Sequence, residues 1–264
     1  MSSACYVYAI VDRGTPLPPA AAGDGVAELA MVPCRELAAV TGRVEDGGAR
    51  LSMANVLRHE AVVEAARRQG PALPVRFGTV FPDAGSVASA LAERYEPLAA
   101  DLVRLGDKVE MSLTALWATT PSDDGPALTP REARAPAERG EGARYLYARA
   151  VETRRDDALR ERARAVARDV DRELGELALE RRVSLLPTPR VAVRTAYLLD
   201  PGEVSAFRAA IESIRTRRDD LRILLTGPWP PYGFVRRAGA DGGADSDGRL
   251  AALVELLAEV SRPG

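Results

Sequence analysis

The sequence predicts an α+β protein of two domains, each an antiparallel sheet with helices on one face, followed by a C-terminal amphipathic helix. Three observations carry this. Apolar runs of period two alternate with runs of helical period through both halves of the 264 residues. A polar stretch rich in Pro and Gly, TTPSDDGPALTPREARAPAERGEG, divides the halves. A Gly/Asp-rich stretch, RRAGADGGADSDG, sets off a last apolar-striped segment. The expected organisation is a first domain over 1–118, a linker over 119–142, a second domain over 143–236, and a flexible linker with a helix over 237–264.

In the first half, ACYVYAIV (Ala4–Val11) is β-branched and aromatic and reads as a buried strand. After a Pro/Gly loop, AELAMV and ELAAVTGRV read as strands around a turn at Pro33–Arg35. A helix follows from Ser52, which can cap it. Arg67 and Arg68 suit its C-terminal dipole, and Gly70–Pro71 stop it. LPVRFGTVF is expected as one strand with Leu73, Val75, Phe77 and Phe81 on one face. The next helix starts near Asp83 or Ser86, carries Val87, Leu91, Leu98, Leu102 and Leu105, and is kinked by Pro97. In DKVEMSLTALWA, Val109, Met111, Leu113, Ala115 and Trp117 alternate with an outward face of Lys108, Glu110, Ser112 and Thr114.

In the second half, one long charged helix is expected from Ala143 to Arg182. Its narrow stripe is Leu159, Ala163, Val166, Val170, Leu174 and Leu177, and Asp156–Arg160 is an i,i+4 pair. VSLLP and VAVRTAYLLD are strands. Asp200, Pro201 and Glu203 open a helix whose buried face is Val204, Phe207, Ile211 and Ile214. LRILLTG is the last strand, and the terminal helix over 249–261 aligns Leu250, Leu253, Leu257 and Val260. Each half thus has the makings of a ferredoxin-like domain.

Composition narrows the function classes. A formal net charge of -2 gives no field that draws the molecule to nucleic acid or an anionic membrane. The arginines of the long helix are nearly balanced by acids and are not interleaved with aromatics, so no nucleic-acid partner is expected. No apolar stretch approaches the roughly 20 residues that span a bilayer. The first residues lack the basic region of a signal peptide, and two cysteines are too few for a disulfide framework, so a cytoplasmic location is expected.

The search for chemistry finds little. The one histidine, His59, has Glu60 and Glu64 nearby but no converging set of zinc ligands. Cys5 sits in an apolar strand, where a thiol is inert. There is no GxxxxGK[ST] and no GxGxxG. GADGGADSDG lacks the acid at position 12 of an EF-hand loop whether counted from Asp241 or Asp245. No cofactor, metal or small-molecule substrate is expected. An enzyme of unfamiliar type would have to use Arg76, Glu110 or Arg194, and a ligand-binding regulatory module built on the paired domains is the alternative reading.

The stretch LLTGPWPPYGFV (Leu224–Val235) stands out, with three prolines and three aromatics in a chain that is 5% aromatic. Proline fixes φ and removes a ladder donor, so this ribbon must leave the sheet. Trp229, Tyr232 and Phe234 then place large apolar area on a stiff support with Pro230 and Pro231. Two destinations are open. The ribbon folds back as a clasp on the protein's own body, near Arg76 and Phe77, with Trp229 largely buried; or it is a docking surface for another protein, joined by Leu253 and Leu257 of the terminal helix. The clasp is the expectation adopted.

LPVRFGTVF, GDKVEMSL (Gly106–Leu113), AYLLD (Ala196–Asp200) and LTGPWPPYGFV (Leu225–Val235) occur in the order found in the gas vesicle protein F/L family, which the chain resembles from Tyr6 to Val235. Arg194 and Thr195 depart from the family pattern before AYLLD. The resemblance implies two modified ferredoxin-like domains and no enzymatic activity. It also implies a role in gas vesicle formation, as an accessory or minor component binding the main shell protein and other accessory gas vesicle proteins.

Overall fold

The computed structural model describes residues 4–18, 28–44, 51–119, 141–184, 188 and 190–236. They form two compact units. One holds the residues up to Glu110 together with those from Pro228; the other runs from Met111 to Gly227. The polar segment expected as the boundary lies mostly outside the described residues, as do Leu253 and Leu257.

In the first unit the strands β1 (Ala4–Asp12), β2 (Leu29–Cys34), β3 (Leu37–Val44) and β4 (Ala72–Pro74) form a sheet of order β2-β3-β1-β4, and β5 (Val80–Phe81) also pairs with β1. β1 pairs antiparallel with β3, β4 and β5, and β2 pairs antiparallel with β3. β1 is central, and Tyr6 to Val11 are buried on both faces, which is why its sequence is a continuous apolar run rather than an alternating one. Cys34 pairs with Leu37, so the β2–β3 turn is Arg35–Glu36. Arg35 sits at φ 53°, and Pro33 lies inside the edge strand β2, where a missing N–H is tolerated.

The single strand expected over Leu73–Phe81 is two short ones. Pro74 offers no donor to continue the ladder, and Gly78, at φ 84°, turns the chain out as a loop. Thr79 closes that loop onto the Arg76 carbonyl through its N–H (3.2 Å) and hydroxyl (2.8 Å).

Helix α1 (Met53–Gln69) begins as predicted, with Ser52 Oγ accepting from the Asn55 N–H at 3.2 Å. Asp83 caps α2 (Ala84–Glu93) through the Ser86 N–H at 2.7 Å. The expected kink at Pro97 is a full break at Arg94. Pro97 lies in the first turn of a separate helix, α3 (Tyr95–Leu105), where its missing N–H costs nothing.

The second unit has the order β6 (Val109–Trp117), α4 (Glu141–Leu174), β7 (Glu180–Ser184), β8 (Val191–Leu199), α5 (Val204–Arg217), β9 (Leu221–Trp229), with strand order β7-β8-β6-β9. The first two residues of β6 and the last two of β9 belong to the other unit. α4 is continuous over 34 residues but ends at Leu174, not Arg182. Gly175 opens a 3-10 turn through Leu177, and Glu180–Ser184 are an edge strand instead. The helical stripe is present: Ala163, Val166, Val170 and Leu174 are buried, while Leu159 and Leu177 are half-buried. Arg160 pairs with Asp157 at 3.0 Å, one residue from the expected Asp156. Before α5, Pro201–Glu203 form a 3-10 turn, and the Asp200 side chain makes no capping bond. Phe207, Ile211 and Ile214 are buried as expected.

Candidate functional site

The Pro-rich ribbon is where the first unit collects its polar interactions. After Trp229 the chain turns tightly, with the Tyr232 N–H donating to the Pro230 carbonyl (2.7 Å) and the Phe234 N–H to the Pro231 carbonyl (3.1 Å). Pro230, Pro231 and Phe234 are buried and Tyr232 is half-buried. Phe234 has no exposed surface at all. Trp229, however, is 38% exposed. The burial expected of Trp229 is found in Phe234, because the turn at Pro230 redirects the chain inward one residue after the indole.

Three carboxylates receive the ribbon. Tyr232 Oη donates to Glu60 Oε1 at 2.9 Å. The Gly233 N–H donates to Glu110 Oε2 at 2.7 Å, and the Arg236 N–H to Asp101 Oδ2 at 2.7 Å. Arg104 bridges the assembly, donating to Asp101 Oδ1 (2.7 Å) and to the Phe234 carbonyl (3.0 Å), while the Arg94 guanidinium donates to the Arg236 carbonyl. Asp101 is fully buried and Glu110 is 5% exposed. A buried carboxylate is tolerated only when its oxygens accept hydrogen bonds, which the ribbon backbone supplies. Glu110 was expected on an outward polar face. It is buried because Gly233 approaches so closely that a Cβ there would lie 2.9 Å from Glu110 Oε2.

Beneath the ribbon lies an aromatic cluster around His59. Its ring centroid is 5.7 Å from Tyr6 and Phe77, 5.6 Å from Tyr8 and 6.2 Å from Tyr232. Tyr6 Oη accepts from the Gly78 N–H (2.9 Å), leaving its proton for His59 Nδ1 at 2.9 Å. Burial pushes the His59 ring down to about 4, offset in part by the Val75 backbone. Burial also raises Glu60, against the pull of the Tyr232 hydroxyl, and raises the Tyr232 hydroxyl itself. Arg67, lowered by burial, donates to the Lys108 carbonyl at 2.7 Å.

Of the residues proposed from sequence, Phe77 and Tyr232 both pack against the core cluster that includes Tyr6, Tyr8, Val62 and Val63. Arg76 is exposed. Glu60, Asp101, Arg104 and Glu110 were not recognised as ribbon partners. The signal in the sequence was the presence of the acids Glu60 and Asp101 at otherwise apolar positions of two helices; Glu110, in register with Lys108, Ser112 and Thr114, gave none.

Nothing in this arrangement converges on a reacting atom. The three carboxylates, Arg94 and Arg104 are engaged in holding the ribbon, while His59 Nε2 and Arg67 Nη1 are buried without a hydrogen-bond partner among the described residues. Among the described residues no group of three or more His, Cys, Asp or Glu is placed to hold a metal, and no helix is long and apolar enough to cross a membrane. An open cavity of about 710 Å³ in the second unit is lined by Trp117, Val166 and several charged side chains. Among them Arg218 pairs with Asp169 (2.6 Å) and Asp220 (2.7 Å), and Arg172 with Asp169 (3.1 Å), while Arg168 pairs with Glu161 (3.3 Å) outside the lining.

The chain matches known proteins over nearly all of this architecture. The family model described as gas vesicle synthesis protein GvpL/GvpF matches residues 4–236. Gas vesicle protein F2 of Halobacterium salinarum is 28% identical over 236 residues, covering 87% of this chain and 91% of that protein. Gas vesicle protein L of a Streptomyces species is 30% identical over 260 residues, covering 89% and 94%. The crystal structure of gas vesicle protein GvpF from an Anabaena species superposes with a TM-score of 0.69 at 21% identity, over 90% of this chain and 100% of that one. That of GvpF from Microcystis aeruginosa gives 0.67 at 18%. The matched span includes the ribbon and the three carboxylates that hold it, and on this ground the chain belongs to the GvpL/GvpF family of gas vesicle synthesis proteins.

Proposed function

We propose that this chain is a non-enzymatic assembly or minor structural protein of gas vesicles. It acts in the cytoplasm, binds the main shell protein and other accessory gas vesicle proteins, and needs no cofactor. Membership of the GvpL/GvpF family over residues 4–236 carries the reading. The geometry of the ribbon supports it: Trp229 is held 38% exposed on a support stiffened by Pro228, Pro230 and Pro231. A rigid aromatic costs little entropy to dock, and such residues dominate binding energy at interfaces. Trp229 is thus the proposed anchor, with Leu253 and Leu257 as a second contact on sequence grounds.

We read both units as modified ferredoxin-like domains. The second has βαββαβ order and the strand order β7-β8-β6-β9 that this motif requires. In the first, the strand order is the same.

The test is vesicle formation in a host carrying a gas vesicle gene set from which only this gene is deleted. Loss of buoyant vesicles, restored by the wild-type chain, is the expected result. Normal vesicles in the deletion strain would refute the role.

A further inference from the structure

The open cavity of about 710 Å³ in the second unit is built from one face of α4 and the chain ends beside it. Along α4 its wall runs from Arg162 through Val166 and Asp169 to Arg172, about 15 Å of helix axis at about 1.5 Å per residue. Trp117, at the end of β6, and Arg218 and Asp220, just before β9, complete it. The carboxylate oxygens are all occupied. Asp169 Oδ1 accepts from Arg172 (3.1 Å) and its Oδ2 from Arg218 (2.6 Å), and both oxygens of Asp220 accept from Arg218 (2.7 and 2.9 Å). The donors are in surplus, because four guanidiniums line the cavity against two carboxylates. Arg162 is exposed and pairs with no acid among the described residues, and the Trp117 indole N–H is buried without an acceptor among them.

We propose that this groove docks an acidic polypeptide segment of another protein, with Arg162 as the cation that recognises its carboxylate. A site whose donors outnumber its acceptors is matched by a ligand that brings acceptors and negative charge. A guanidinium pairs with a carboxylate through two parallel bonds, so Arg162 can hold one without disturbing the pairs that Arg172 and Arg218 already make. Val166 and the Trp117 ring give the wall an apolar part for a side chain of the same segment. A wall of about 15 Å is the span of about four or five extended residues. Because the cavity is open, it suits a segment lying across it better than a small ligand, which binds where most of its surface is enclosed. Nucleic acid fits poorly, since Asp157, Glu161 and Glu173 on the same helix repel a continuous run of phosphates. The groove lies wholly in the second unit and Trp229 in the first, so the inference goes beyond the proposed shell-protein contact and holds or fails separately from it.

The experiment titrates the full-length protein into a fluorescein-labelled, end-capped pentapeptide of four glutamates about a central leucine and follows anisotropy. Saturable binding is expected, weakening as salt rises, with none for the glutamine counterpart. Arg162→Glu should bind at least about tenfold weaker, and Arg162→Lys should keep part of the affinity. Both variants should melt with the wild type, because Arg162 is exposed. Arg43→Glu, the same charge change at an exposed position of β3, and Trp229→Ala should bind as the wild type does. Absence of binding overturns the proposal. So does undiminished binding by Arg162→Glu, an equal loss in Arg43→Glu, or a loss in Trp229→Ala. Displacement of the labelled peptide by oligothymidylate or by ATP more readily than by unlabelled peptide at equal charge would also overturn it, since the groove would then be a phosphate site.

Discussion

Truncating Phe234 to Ala removes a ring that has no exposed surface in the folded protein. The main-chain bonds of its neighbours, including Arg104 to the Phe234 carbonyl, do not depend on the ring, so the loss is one of packing. Phe→Ala at a fully buried site costs about 3–5 kcal/mol. Typical domains hold about 5–15 kcal/mol in all, so unit 1 would lose a large share of its stability. At roughly 2–4 °C per kcal/mol for a chain of this size, Tm should fall by about 6–20 °C. Trp229→Ala gives the contrast. With the indole 38% exposed, its cost should stay below about 1 kcal/mol. Urea melts followed by circular dichroism, with calorimetry to resolve the two units, measure both. Equal losses, or a larger loss for Trp229→Ala, would refute the assignment of Phe234 as the buried anchor.

Gly233→Ala should destabilise unit 1 by about 1–3 kcal/mol, because its methyl meets the Glu110 carboxylate and disrupts that buried bond; denaturant titration reads this directly. Fold stability should fall as pH drops from about 6.5 towards 4. His59 has a folded value depressed to about 4 by burial, so its contribution is complete above its unfolded value and is lost through the folded one; the full swing is about 3 kcal/mol. Glu60 is raised by burial and works in the opposite sense, losing its contribution as pH rises, so the slope is assigned by comparing wild type with His59→Phe, which should flatten it. A fragment ending at residue 118 lacks the ribbon and leaves Glu110 and Asp101 without their backbone donors. It should show weaker protection of α1 and β1 in hydrogen exchange than the full chain, and a peptide of residues 228–236 added in trans should restore part of it.

Features set by short-range chemistry were legible from the residues alone. Ser52 and Asp83 cap helices because their side chains reach the next turn, and the four-three spacing of Ala163, Val166, Val170 and Leu174 can face a sheet only as a helix. The end of α4 was missed because Glu180–Ser184 is charged and helix-compatible, and its strand conformation comes from pairing with β8, which puts Glu180 opposite Leu198, 18 residues on. The site was half legible. The prolines announce a ribbon that leaves the sheet, which it does only after Trp229, since Gly227, Pro228 and Trp229 still belong to β9, and its apolar mass announces that it packs. Which aromatic is buried depends on where the turn falls, and the turn at Pro230–Tyr232 is closed by backbone bonds that carry no side-chain signature. The carboxylate partners lay 123 to 172 residues away for Glu110 and Glu60, beyond any local pattern.

The central claim, that this chain works by binding gas vesicle components, is tested most directly by capture of the main shell protein on the purified full-length chain, beside Trp229→Ala. The account predicts stoichiometric capture by the wild type, and capture at least about tenfold weaker by Trp229→Ala, with the variant melting within about 1 kcal/mol of wild type. No capture by the wild type under assembly conditions, or full capture by the variant, would contradict it.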